Sequence, residues 1–598
     1  MARYGGWVWI GIVWWIAAIL VGPAWAERPN VVVFLADDAG WGDYGVNGNR
    51  AAHTPNIDSL ARDGAMFERF YVCPVCSPTR AEFLTGRYHP RSGVYGVSTG
   101  QERMDLQERT IAEAFQQAGY ATGLFGKWHN GSQGPYHPNA RGFDEFFGYT
   151  AGHWGQYFDP PLEHNGQPVR TKGYIVDVCT DQAIAFIERN QNKPFFCTIT
   201  FTTPHSPWAV PDEYWQRYRE KPIEQRATDP ERENLDHTRC ALAMLENQDW
   251  NVGRVLSKLD ALGLRDKTIV FYFSDNGPNT HRWNGGMRGI KGSTDEGGLR
   301  SIAVMRWPQH IPAGRRIPGI AGAIDLLPTL ISLASVPRVG NLPLDGMDWS
   351  AWLVSSDPPP PPERMLFSTW AGRVSVRTDR YRLDHQGRLY DMEQDPAQTR
   401  PINHEQPQVA RRLFEAVEQW RRDVLPEGRP MLLPGNVDPR PLPVGYPLLR
   451  TWLPARDGQP YGNVRRSAPA PNSSFFTNWT STEDRIVWKI DVLTEGTYSV
   501  ELSYTCPEAD VGSEIELEFQ GERLRAIVAE AWDPPFYTNQ DTLPRPPAES
   551  PMKEFRTWKV GTIRLSRGEG ELTLRALRVP GRQVMELLEM YLVKEADK

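Results

Sequence analysis

The period of the hydrophobic positions changes along the chain, and each change marks a unit. Asn30–Ala36 is a short apolar, β-branched run ending at Asp37-Asp38-Ala39-Gly40. A run without alternation predicts a strand buried on both faces, as in a parallel sheet covered by helices. Thr54-Pro55 opens a helix with a cap residue and a proline in its first turn, and Gly64 closes it. Thr110-Ile-Ala-Glu113 reads as a capping box, whose helix stops at Gly119 before the strand-like Tyr120–Phe125. Leu242–Leu262 reads as helix, and Thr268–Phe273 as a second buried strand ending in Ser274-Asp275-Asn276. Strands alternating with helices over roughly 300 residues predict an α/β domain. Both acidic pairs then fall at carboxyl ends of strands, the edge where such sheets bind ligands.

Further on the pattern weakens and then changes. Pro358–Pro362 marks a stiff loop, after which short strands at Val374–Val376 and Tyr381–Leu383 precede a helix near Gln408–Arg422. These predict a small α+β subdomain over 363–424. Residues 425–447 hold seven prolines and no periodicity, the composition of a semi-rigid linker. Beyond it, Arg485–Val492, Thr497–Tyr504, Glu514–Phe519, Arg556–Leu565 and Gly570–Leu577 read as strands without helices, which predicts a β-sandwich over 448–598.

At the other end, Arg3 precedes an apolar run from Trp7 to Val21 and then Ala24-Trp25-Ala26. That is the layout of an export signal over residues 1–26, cleaved before Glu27, so a periplasmic or secreted protein is expected. No later stretch approaches the ~18 apolar residues of a membrane span, and the mature chain is expected to have no stable one. The α/β domain is then expected over 27–350. With Lys+Arg at 66 and Asp+Glu at 73, the net charge is −7, which argues against a nucleic-acid partner. Six cysteines in 598 residues are too few for a disulfide scaffold.

The richest segment is Cys76-Ser-Pro-Thr-Arg80-Ala-Glu-Phe-Leu84-Thr85-Gly86-Arg87. Pro78 is placed to start a helix, which puts Cys76 at a helix N-terminus, where anions are favoured. Cys73-Pro-Val-Cys76 also has the CxxC spacing of a redox pair or half a zinc site, but no partner pair follows at zinc spacing. The segment matches in full the C-x-P-x-R-x-x-x-L-T-G-R motif of type I sulfatases, and the chain resembles that family elsewhere. The other matches are Asp37-Asp38, Gly126-Lys127-Trp128-His129, Gly142–Gly148, Pro204-His205-Ser-Pro207, Ser274–Gly277, Lys291, Glu296–Arg300, Asp325–Thr329 and Leu389-Tyr390-Asp391. They cover about residues 28–425. Asn130 stands where the family more often has leucine, and Ser301 where it has an aliphatic residue.

The resemblance implies the arylsulfatase-like fold of the alkaline phosphatase superfamily. That is a large mixed sheet sandwiched by helices with a small α+β subdomain, to which the β-sandwich is appended. It implies a sulfuric ester hydrolase, with Cys76 converted to Cα-formylglycine by a formylglycine-generating enzyme. It also implies a metal held by Asp37, Asp38, Asp275, Asn276 and the Cys76-derived group. The residues agree. Asp37, Asp38, Asp275 and Asn276 offer only oxygens, three of them charged, which suits one hard cation per chain and calcium over magnesium.

A sulfate ester needs cations around its sulfuryl oxygens and an acid at the leaving oxygen. Arg80, Lys127 and Lys291 are candidates for the first. His129 and His205 are two of only 12 histidines. By resemblance, the hydrated aldehyde attacks sulfur while His205 protonates the leaving alcohol, and His129 deprotonates the second hydroxyl so that sulfate is eliminated.

Two rival readings are a phosphate or phosphonate monoester hydrolase of the same superfamily and an unmodified, non-catalytic glycan-binding protein. The substrate is expected to be a sulfated carbohydrate or an aryl sulfate. His153, Trp154, Tyr157, His281, Arg282 and Trp283 are candidates for a sugar subsite. Trp479, Trp532, Phe536 and Tyr537 are candidates either for glycan stacking by the C-terminal module or for its core.

Overall fold

The structure of the chain, a computed structural model, describes Met1 and residues 28–425, 437–446 and 450–596. Residues 2–27, which hold the expected export signal, and most of the expected linker lie outside the described residues. No helix among the described residues is long and apolar enough to cross a membrane.

The N-terminal half is built on one sheet. Its strands are β1 (Asn30–Ala36), β2 (Ala65–Tyr71), β3 (Ala121–Lys127), β4 (Glu145–Tyr149), β5 (Pro161–His164) and β6 (Gln167–Arg170). They continue with β7 (Phe195–Thr200), β8 (Thr268–Ser274), β9 (Arg300–Ser301), β10 (Ala303–Arg306) and β11 (Arg315–Gly322). The order is β11-β2-β10-β8-β1-β7-β3-β4-β5-β6, with β9 on β2. The centre is parallel, while β10 and the β5–β6 hairpin run antiparallel, so the sheet is mixed.

Successive side chains of β1 enter opposite cores, as the pleat requires. Val32 and Phe34 pack on one face with helices α1 (Pro55–Arg62), α4 (Ile175–Arg189), α5 (Asp212–Tyr218) and α6 (Leu235–Ala261). Val31, Val33 and Leu35 pack on the other with α2 (Cys76–Thr85), α3 (Ile111–Gln117) and the helix Leu326–Leu333. That double coverage is why β1 reads as an unbroken apolar run. The Thr110–Glu113 capping box forms as expected. Helix α6 starts seven residues before the expected Leu242. Its first turn is polar and hides the period, and Asn234 caps it by accepting from Asp236 N and His237 N.

A four-stranded antiparallel sheet over Leu366–Asp391 and the helix Pro407–Val424 form a smaller unit around Leu413, Val417 and Trp420. The C-terminal part is two six-stranded sheets sharing one apolar core.

The expected linker needs correction where it is described. Leu442–Val444 pairs in parallel with Arg485–Val492, so the sandwich begins before 448. Arg440 binds Asp438 and Asp105, and Arg103 reaches the Arg440 and Pro441 carbonyls. Proline disfavours interior strands but not an edge such as this one, and here the segment is fixed to the N-terminal domain rather than free.

Candidate active site

The parallel register brings the two acidic pairs together. Ala36 of β1 lies opposite Ser274 of β8, so Asp37-Asp38 and Asp275-Asn276 leave the sheet side by side. Asp38 N donates to Asp275 Oδ1 at 3.1 Å, and Asn276 Nδ2 to Asp38 Oδ1 at 2.8 Å. Asp38 and His129 both adopt left-handed φ, at 69° and 72°. Such conformations in residues other than glycine concentrate at functional sites.

Helix α2 delivers the cysteine. Cys76 is its first residue, and the Cys76 thiol lies with oxygens of Asp37 and Asp275 in a group whose members are within 4.8 Å of one another. Thr79 fixes the approach, donating to the Asp275 carbonyl at 2.5 Å and accepting from Cys73 N at 2.8 Å. Arg80 donates to Asp275 Oδ2 and to the Lys127 carbonyl, each at 2.9 Å. Lys127 Nζ, at the end of β3, lies 2.7 Å from Asp37 Oδ2, and Lys291 Nζ 2.6 Å from Asp38 Oδ1. No disulfide joins Cys73 and Cys76.

The electrostatics are those of an interleaved charge cluster. Burial works against every charge here. Even so, Lys127 and then His205, Arg80 and Lys291 hold Asp37 below the usual carboxylate range, and Asp38 is lowered chiefly by Lys291. Asp38 in turn holds Lys291 charged despite burial. Burial, with Asp37 alongside, pushes Asp275 up to about 7 in spite of Arg80. Burial also raises the Cys76 thiol, so it is not a thiolate at rest. The carboxylates crowd one another, and the buried oxygens Asp37 Oδ1 and Asn276 Oδ1 have no hydrogen-bond partner among the described residues. Unpartnered buried oxygens among crowded carboxylates fit a hard cation.

Of the two histidines, His129 is buried and His205 half-buried. His129 Nε2 lies 2.8 Å from the Val97 carbonyl and must donate to it, which leaves the lone pair at Nδ1, itself buried with no hydrogen-bond partner among the described residues. Burial and then Lys127 hold His129 well below its ordinary value, so it stays neutral. A Cβ on Gly152 would stand 2.1 Å from His129 Nε2, so only glycine fits there. His205 gives Nδ1 to the Ser206 carbonyl at 2.6 Å and points Nε2 toward Asp38 Oδ2 at 3.6 Å. Burial and then Lys291 hold it down, at about 4.

The structure thus gathers Cys76, Arg80, Lys127, His129, His205, Lys291, Asp37, Asp38, Asp275 and Asn276 in one place. The expected sugar-subsite residues divide. His153 lies beside His205, with ring centroids 5.1 Å apart. Tyr157 is buried and supports His205 from behind, its hydroxyl donating to the His205 and Ser206 carbonyls. Arg282 is tied to Asp43 and to the Asp38 carbonyl, and Trp154 stacks on Tyr149. Trp154 and Tyr157 serve packing, whereas Arg282 also lines, beside Trp283, a cleft of about 270 Å³ with Arg50 and Lys221.

Several supporting residues escaped the sequence reading. Asn130 Nδ2 donates to the Ser77 carbonyl at 3.2 Å and braces the first turn of α2. Ser301 Oγ donates to the Ser274 carbonyl at 2.9 Å and accepts from Ser274 N, bracing the strand end before Asp275. Both were visible as departures from the family pattern. Glu549, from the C-terminal half, faces His153 at 3.4 Å and takes the Ser206 hydroxyl. Nothing in its local sequence marks it.

A family model described as Sulfatase matches residues 29–336. Over 358 residues the chain is 33% identical to N-acetylgalactosamine-6-sulfatase of Mus musculus, covering 54% of this chain and 65% of that protein. The chain therefore spans just under two thirds of that relative's length. Over 432 residues it is 32% identical to arylsulfatase A of Homo sapiens, covering 64% of this chain and 80% of that protein. The crystal structure of Ps i-CgsB in complex with k-i-k-neocarrahexaose is similar in fold, with a TM-score of 0.61 and 28% identity, covering 67% of this chain and 94% of that one.

Proposed function

The chain belongs to the sulfatase family, and from that premise we propose that it hydrolyses sulfate monoesters of a sulfated glycan at the Cys76 cluster. The observation that carries this is the placement of Cys76 at the N-terminus of α2, among Asp37 and Asp275 and within the field of Lys127 and Lys291. That is a site for an anionic substrate built around one modifiable side chain.

Asp37, Asp38, Asp275 and Asn276 would hold one Ca²⁺ per chain, and the cation supplies positive charge to the sulfuryl oxygens. Formylglycine, made from Cys76 by a formylglycine-generating enzyme, supplies an oxygen nucleophile and a means of releasing sulfate without water attacking sulfur. The remaining work belongs to the chain's own side chains. Arg80, Lys127 and Lys291 balance the sulfate charge from three directions. His205 Nε2 is the proton donor for the leaving oxygen. The free site keeps His205 neutral, but an incoming sulfate monoester adds negative charge beside it and favours the protonated ring. His129, neutral with its lone pair at Nδ1, is the matching acceptor.

The names of the relatives support a sulfated carbohydrate, since one is named for N-acetylgalactosamine-6-sulfate and the similar structure is a complex with k-i-k-neocarrahexaose. The signal layout of residues 1–26 supports export to the periplasm or beyond. A phosphate or phosphonate monoesterase would need extra charge for its substrate, and a single oxygen-ligand set among the described residues favours sulfate. The test is to assay the purified full chain on a sulfate ester and its phosphate analogue. Sulfate release well above phosphate release is expected, and the reverse order contradicts the proposal.

A further inference from the structure

The C-terminal sandwich reaches both catalytic histidines. The segment between the strands Glu522–Ile527 and Arg556–Leu565 runs along the catalytic domain and is pinned there at several points. Gln540 accepts from Phe158 N at 3.0 Å, Thr542 N donates to the Trp208 carbonyl at 2.7 Å, and Arg545 donates to the Gly155 carbonyl at 2.8 Å. Glu549 follows these anchors. One of its carboxylate oxygens takes the hydroxyl of Ser206, the residue whose carbonyl receives His205 Nδ1. The other lies 3.4 Å from His153, whose ring is 5.1 Å from that of His205. On the opposite side, Asn472 of the same module donates to the Val97 carbonyl at 3.3 Å, the oxygen that holds His129.

We infer that Glu549 is a positioning residue for His205, so that the C-terminal module completes the active site instead of serving as a tethered accessory. The inference rests on the sulfatase reading above. A carboxylate on the Ser206 hydroxyl fixes the Ser206 peptide, that peptide fixes which ring nitrogen carries the inner proton, and Nε2 is left aimed into the site. This is the base-and-orienter arrangement used wherever a histidine must act with one defined nitrogen. Glu549 suits the task because it stays ionised. Burial raises its carboxyl, but the His153 ring, then His205 and the Ser206 hydroxyl, bring it down to about 2.

The consequence is a dependence on the leaving group. A sugar alkoxide needs a proton to depart, and well-placed acid catalysis is worth about 10²–10⁴-fold. A nitrophenolate leaves with little help. Glu549→Ala in the full chain, produced with a formylglycine-generating enzyme, is expected to lose about tenfold or more in kcat on a monosaccharide sulfate, with KM within about twofold. On 4-nitrophenyl sulfate it should lose less than about threefold. Glu549→Gln, which keeps an oxygen for Ser206 and the volume of the side chain, should lose less than Glu549→Ala. Ser206→Ala should show the same split between esters. Equal losses on the two esters, or no loss on either, overturn the inference, since a packing role has no reason to sense the leaving group. Absence of sulfate release from either ester by the unsubstituted enzyme overturns the sulfatase reading on which the inference rests.

Discussion

Arg80 and Asp275 form an ion pair of 2.9 Å whose side chains are 2% and 0% exposed. Without the guanidinium, Asp275 keeps Asp37 and Asp38 as neighbours and loses its direct counter-charge. Breaking a buried pair from one side costs about 3–5 kcal/mol. Arg80→Leu is therefore expected to lower the unfolding free energy by about that amount, measured by urea unfolding at a fixed calcium concentration. A loss under about 1 kcal/mol would contradict the assignment of Arg80 as the partner of Asp275.

A second buried carboxylate couples the sheet to the small subdomain. Glu296 takes the Tyr71 hydroxyl at 2.7 Å, Arg382 at 2.8 Å and Arg377 at 3.3 Å. Burial would raise its carboxyl, but Arg377 and then Arg382 bring it down to about 2. A depressed carboxylate contributes stability above its unfolded value of about 4.5 that is lost as pH falls toward 2, here about 3 kcal/mol. Thermal midpoints across that window should fall less steeply in Glu296→Gln than in the unsubstituted chain. Glu296→Gln should also start lower at pH 7, because two arginines lose their charge partner.

Gly152 sits where a Cβ would meet His129 Nε2. Gly152→Ala should push the ring off the Val97 carbonyl and lower kcat by about tenfold, at a cost in stability of about 1–3 kcal/mol. Unchanged kcat would mean that the orientation of His129 is not used.

The chain made only as far as Val424 loses Glu549 and Asn472 together. Among truncated molecules that retain a cooperative unfolding transition, activity should drop on a small aryl sulfate as well as on a polysaccharide. A tethered glycan-binding module predicts loss on the polysaccharide alone. The aromatic residues divide: Trp479 is buried in the sandwich core, whereas Phe536 is exposed beside Phe475 of the same module.

The parts legible in the sequence were those fixed by local pattern. β1 and β8 are buried on both faces, and their apolar runs announced both the strands and the acidic pairs at their ends. Pairwise placement was less visible. Asn130 and Ser301 stood out only as exceptions, and their hydrogen bonds to Ser77 and Ser274 explain why polar residues occupy those positions. The short strand Leu442–Val444 was hidden by its prolines, since pattern alone cannot separate an edge strand from a linker. Glu549 was invisible for a different reason. Its partners Ser206 and His153 lie more than 300 residues away, and a contact of that range leaves no local trace.

The central claim is that Cys76, once modified, turns over sulfate esters within this charge cluster. The direct measurement pairs the mass of the Cys76 peptide with steady-state sulfate release, using full-length protein made with and without a formylglycine-generating enzyme. Conversion of thiol to aldehyde lowers the peptide mass by about 18 Da, whereas thiol oxidation raises it. Multiple turnover should rise in proportion to the converted fraction and be absent in Cys76→Ser. Full turnover by a chain whose Cys76 remains a thiol, or no sulfate release by a chain in which it is fully converted, would contradict the claim.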